Sequence, residues 1–186
     1  MLTACNFRLA AGKSGGQAFG ELTISTSSPL PELPAIGFLA EVDESHRAFL
    51  ASFGSFVRPH NGEVLIEEGK PQHNLYLILS GLLHVVAGAG GRDLLVASLG
   101  AGDSLGEVNI FDPATASASV IARSECLIWS ISEAELQGFF EADPVAGVSF
   151  MTGLLRLAGH RIRSMNAKLA ESEEKSALHS FWKSHA

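Results

Sequence analysis

The sequence predicts a mainly β chain, a jelly-roll (double-stranded β-helix) barrel flanked by N-terminal and C-terminal α-helices. Three observations carry this. Short apolar runs recur at residues 55–58, 63–67, 75–80, 82–87, 94–99 and 126–131. Turn signals separate them, at Asn61-Gly62, Gly69-Lys70-Pro71, Gly81, residues 88–91 and residues 100–102. Short strands punctuated by glycine in this way build sandwiches and jelly rolls. Helical periodicity is confined to the segments before and after that block.

Taken in order, residues 1–34 are rich in Gly, Ser, Thr and Pro and read as a flexible arm, with a short strand-like apolar stretch at 19–24. A lead-in helix is expected within 36–53, where Phe38, Leu39, Val42, Phe49, Leu50 and Phe53 are apolar and Asp43 offers an N-cap. The barrel with its lead-in and first following helix is assigned to residues 35–142. That following helix opens on Ser132, with Glu135 three residues on as in a capping box, and runs to about Glu141. Asp143-Pro144 then caps and starts a longer helix, assigned to 143–170. Along it Met151, Leu155, Ala158, Ile162, Met165 and Leu169 alternate by four and three residues, an a/d seam that predicts a homodimer. Arg156, His160, Arg161, Arg163 and Lys168 take its polar face. After Leu169 the pattern lapses at residues 171–174. Residues 171–186 read as a tail in which Ala177, Leu178, Phe181 and Trp182 dock a final turn.

The totals narrow the function. A chain of 186 residues with 46% apolar and 18% charged residues is one ordinary globular domain with extensions. A net charge of −7 without a basic run argues against nucleic acid and anionic membrane as partners. No stretch reaches the roughly 18 apolar residues of a membrane helix. Cys5 and Cys126 lie far apart with no ligand spacing, so no disulfide framework or zinc site is indicated, and a reducing cytoplasm is the expected home. The box Leu2-Thr3-Ala4-Cys5 looks like a lipoprotein cleavage site but has no apolar region ahead of it.

The most informative stretch is LGEVNIFDPATASASVIA, residues 105–122. It reads as a turn into a very short helix at 106–110, a loop through Asp112-Pro113, and a strand at 117–122. Gly106 allows close backbone approach to a ligand, and the N–H groups opening the helical turn make an anion site. Glu107 beside it suits a hydroxyl donor from the same ligand. A phosphate and a sugar hydroxyl held side by side describe a nucleotide, and a cyclic one fits so short a cassette.

This stretch resembles the phosphate-binding cassette of the cyclic nucleotide-binding domain, the module of catabolite-activator-type regulators and cyclic-nucleotide-dependent kinases. Leu105, Gly106, Glu107, Val108 and Ile110 fit its first half, and Ser117, Ala118, Val120 and Ala122 its second. Asn109 stands where the family prefers a small residue, and Ala116 where the family carries its phosphate-binding arginine. Upstream, LIEEGKPQHNLYLILSG at 65–81 is similar to the family's other hallmark through Gly69, the apolar block 75–78 and Gly81, while Lys70 and Gln72 depart from it. The resemblance covers roughly residues 36–169. It implies a non-enzymatic regulatory module without catalytic residues or a resident cofactor, whose ligand is cyclic AMP or cyclic GMP. The ligand set it implies is Leu105, Gly106, Glu107, Val108, Thr115, Ala116 and Ser117, with Ser117 as the best remaining phosphate donor. With alanine at 116, affinity is expected to be weakened. In transcription regulators of this family a helix-turn-helix follows the long helix; the 17 residues after Leu169 are too few for one, so none is expected.

Two rivals are of other classes. A degenerate domain could serve as a protein-interaction or dimerisation scaffold, its pocket filled by its own side chains. A cupin-type metalloenzyme shares the barrel, but His60, His73 and His84 lack the His-x-His and carboxylate spacing that such a site needs, so no metal is expected. The downstream partner has no signature in the sequence.

Overall fold

The computed structural model describes residues 32–89 and 92–184. A 3-10 turn at Gly37–Leu39 and helix α1 (Glu44–Ala51) lead into ten strands: β1 (Ser55–Val57), β2 (Val64–Ile66), β3 (Pro71–Gln72), β4 (Asn74–Ser80), β5 (Leu83–Ala89), β6 (Arg92–Leu99), β7 (Ser104–Leu105), β8 (Ala114–Thr115), β9 (Ser119–Ala122) and β10 (Leu127–Ser132). Helices α2 (Glu133–Ala142) and α3 (Pro144–Ser184) follow. The strands form two four-stranded sheets, β1-β10-β4-β7 and β2-β9-β5-β6, and a two-stranded ladder β3-β8, each described pairing antiparallel. This is the jelly-roll barrel with flanking helices that the sequence predicts.

The first sheet is buried on both faces, which is why β4 and β10 read as unbroken apolar runs rather than alternating ones. On β4, Leu75 and Leu77 point into a helix-side core with Trp129, Ile131, Leu136, Phe139 and Phe150. Their neighbours Tyr76 and Ile78 point into the barrel with Ile66, Leu83, Val120 and Ile128. Phe139 of α2 ties the helices together, its ring 5.6 Å from Phe53 at the end of α1 and 6.0 Å from Phe150 of α3. Removing so buried a ring costs roughly 3–5 kcal/mol.

The helix signals hold with local differences. Ser132 accepts from the Glu135 N–H while the Glu135 carboxylate accepts from the Ser132 N–H, a full capping box. Asp143 caps α3 by accepting from the Val145 and Ala146 N–H groups at 3.1 and 3.0 Å. Asp43 stands at the N-cap of α1, yet its side chain caps nothing. Leu33, assigned to the arm, is buried in the helix-side core. The expected strand at 19–24 lies outside the described residues.

Three expectations are corrected. Helix α3 does not end near residue 170 but continues to Ser184. The seam pattern stops there, but Ala, Glu, Ser and Lys are helix-tolerant and let the backbone continue. The segment 106–110 is a turn rather than a helix: Ile110 and Asp112 donate to the Gly106 and Val108 carbonyls, and nothing propagates it before Pro113. The strand expected at 117–122 is split, because residues up to 115 pair with β3 while β9 starts at Ser119 and pairs with β2 and β5.

Candidate functional site

The cassette hangs from β4. Tyr76 and Leu77 pair with Leu105 and Ser104, so the chain leaves β7 beside the Asn74 end of β4. There Gly106 takes φ +78, and a Cβ on it would lie 2.1 Å from the Asn74 carbonyl oxygen. Both the left-handed backbone and the missing side chain are therefore required. Gln72 secures the other wall by donating Nε2 to the Asn74 carbonyl at 2.8 Å. Ile110, fully buried, anchors the turn in the helix-side core. Asn109, a departure from the family pattern, donates to the Ala114 carbonyl at 3.2 Å and braces the loop across its neck.

Glu107 is largely buried, its side chain 14% exposed, and it is already engaged. Arg161 of α3 donates Nη1 to Glu107 Oε1 and Nη2 to the Ser104 carbonyl, the latter at 2.6 Å. One guanidinium thus clamps the carboxylate and the end of β7 together. Burial pushes the Arg161 guanidinium below its ordinary pKa, and the Asp103 carboxylate opposes that shift. The sequence reading assigned Arg161 only to a polar face. A closer signal exists: residues 150, 154, 157 and 161 follow one helical stripe, so a charge ends the row that faces the core.

The rest of the expected ligand set is spread over this corner. Leu105 and Gly106 are half-buried, whereas Val108, Thr115 and Ser117 are exposed. Ala116 is buried inside the barrel against the cluster of Tyr76 and Val120. Arg123, a possible substitute cation, donates to His84 Nδ1 at 3.3 Å. Of the seam residues, Met151 packs partly on the helix-side core and Ala158 is half-buried. Leu155, Ile162, Met165 and Leu169 are exposed, and so is Val148, seven residues before Leu155. Cys126 is buried immediately before β10 rather than within a strand.

Among the described residues, no three His, Cys, Asp or Glu side chains converge as a metal site would need. No described helix is long and apolar enough to cross a membrane.

Comparison with known proteins agrees with this geometry. The family model of the cyclic nucleotide-binding domain matches residues 57–143. The chain is 31% identical over 111 residues to a CRP-like cAMP-activated global transcriptional regulator of Mycobacterium tuberculosis, covering 59% of this chain and 48% of that protein. The chain thus spans about half the length of that curated relative. Among solved structures it resembles the N-terminal domain of a transcriptional regulator from Streptomyces coelicolor, with TM-score 0.59, 27% identity, and coverage of 70% of this chain and 91% of that one. A cyclic nucleotide-binding domain from Methylobacillus flagellatus shares the fold, with TM-score 0.65, 24% identity, and coverage of 70% and 74%. Residues 57–143 thus match the cyclic nucleotide-binding domain, and the barrel they form shares its fold with a solved cyclic nucleotide-binding domain.

Proposed function

We propose that the chain is a non-enzymatic, cytoplasmic regulatory module that takes cyclic AMP or cyclic GMP at residues 105–117 with weakened affinity and relays occupancy through α3. The observation that carries this is the Arg161–Glu107 contact. Glu107 is the group that would receive the ribose hydroxyls, and the helix that leaves the barrel holds it. A ligand hydroxyl at Glu107 competes with Arg161, so ligand binding and the seating of α3 are linked. A ligand that prefers one helix arrangement shifts the population toward it.

Weak affinity follows from Ala116. An arginine there would offer charge-assisted bonds to the ring phosphate at about 1.5–3 kcal/mol each. Losing roughly 2–4 kcal/mol lowers affinity by about thirty- to a thousandfold. Calorimetric titration is expected to show cyclic nucleotide binding in the high-micromolar to millimolar range. Ala116→Arg should gain at least about tenfold, and adding Glu107→Ala should abolish that gain. No binding by Ala116→Arg would mean that the pocket is closed.

The same contact favours a second reading, a scaffold whose pocket its own arginine fills. In both readings the exposed row Val148, Leu155, Ile162 and Leu169 supports a homodimer built on α3, since residues seven apart share one face. Neither reading needs nucleic acid or a membrane as partner.

A further inference from the structure

We propose that Lys70 supplies the cation that holds the ligand's phosphate, replacing across the strand ladder the arginine that Ala116 lacks; this rests on the nucleotide reading above. The Gly69 N–H donates to the Ala116 carbonyl at 2.8 Å, and the Ala116 N–H donates to the Lys70 carbonyl at 2.8 Å. Two residues of one strand thus face a single residue of the other. With Gly69 at φ +78, this is a β-bulge with glycine in its first position and Lys70 in its second. Regular pairing resumes at once, Pro71 with Thr115 and Gln72 with Ala114. Two of the four positions that depart from the family pattern, 70 and 116, are therefore hydrogen-bonded neighbours.

Lys70 also lines a cavity of about 300 Å³ with Ile66, Gln72, Asn74 and Tyr76. Ile66 and Tyr76 share the barrel-interior cluster with Ala116. Asn74 is the residue whose carbonyl crowds Gly106. The cavity thus lies beside the bulge, and Asn74 on its wall is the neighbour of Gly106. No ion pair is found for Lys70 among the described residues. Glu67 is the acid on the same cavity, and its own carbonyl receives the Lys70 N–H at 3.1 Å. A lysine ammonium is a point charge on a flexible stem and lacks the fork of a guanidinium. Such a site would hold the singly charged phosphodiester of a cyclic nucleotide, but less tightly than arginine does.

Titration with cyclic AMP tests this. Lys70→Gln should weaken binding to the wild-type protein at least about fivefold, since one charge-assisted bond is lost. In the Ala116→Arg protein, where arginine supplies the charge, the same change should cost less than about twofold. Because Lys70 is exposed, the thermal midpoint of Lys70→Gln should match wild type, which separates lost contact from lost fold. Equal affinities of wild type and Lys70→Gln would overturn the role of Lys70 and leave the nucleotide reading standing, as would binding by Ala116→Arg alone. No binding by either wild type or Ala116→Arg would overturn the nucleotide reading itself, and Lys70's role with it.

Discussion

At the scale of single residues, three positions decide the cassette. Gly106 admits no Cβ, Glu107 is buried with a partner, and Ala116 carries no charge where the family pattern has an arginine. Arg161 is the residue whose removal is most informative. In the Ala116→Arg background, Arg161→Ala frees Glu107 for the ribose, and cyclic AMP should bind roughly three- to tenfold more tightly, the scale of one hydrogen bond. A loss of affinity by calorimetry would show instead that Arg161 helps to hold the ligand. The tight turn at Gly106 was legible in the sequence because it is a local signal within one short motif. The partner of Glu107 was not, because it lies 54 residues away and only the fold joins them.

At the scale of elements, α3 docks through glycine. A Cβ on Gly153 would sit 2.0 Å from the Phe38 carbonyl, so the helix touches the 3-10 turn backbone to backbone. Gly153→Ala should therefore lower stability by about 2–4 kcal/mol in chemical denaturation, as overpacking against rigid backbone does. Gly159→Ala is the contrasting case, meeting only the mobile end of Arg163, and should be neutral or stabilising by up to about 1 kcal/mol through helix propensity. Equal losses at both positions would remove the distinction. Strands β1, β2, β4, β5, β6 and β10 were readable because glycine turns bracket apolar runs. Strands β3, β7 and β8 were not, since two residues carry no periodicity. The continuation of α3 past Leu169 escaped for a related reason: the four-and-three alternation of apolar residues ends there, and a helix without it leaves little pattern in sequence.

At the scale of the whole molecule, α3 has two apolar faces with different fates. Ala146, Phe150 and Leu154 close the helix-side core. Leu155, Ile162, Met165 and Leu169 face outward, each more than half exposed, a stripe that isolated globular surfaces rarely carry. Arg161 is where the helix parts from the barrel: every later α3 side chain that is described is exposed. Ile162→Glu would place facing charges in the proposed seam, and light scattering should report a dimer for wild type and a monomer for the variant. An unchanged oligomeric state would count against the seam.

On the proposed function, a cyclic nucleotide enters the cassette by displacing Arg161 from Glu107. Titrating cyclic AMP into the ¹⁵N-labelled wild-type protein while following amide and arginine side-chain resonances tests it most directly, because millimolar binding is visible this way. Saturable shifts at the Gly106 and Glu107 amides, together with a shift of the Arg161 Nε–H signal, are the expected result. Saturable shifts elsewhere with these three signals unmoved, or none at all, would contradict it.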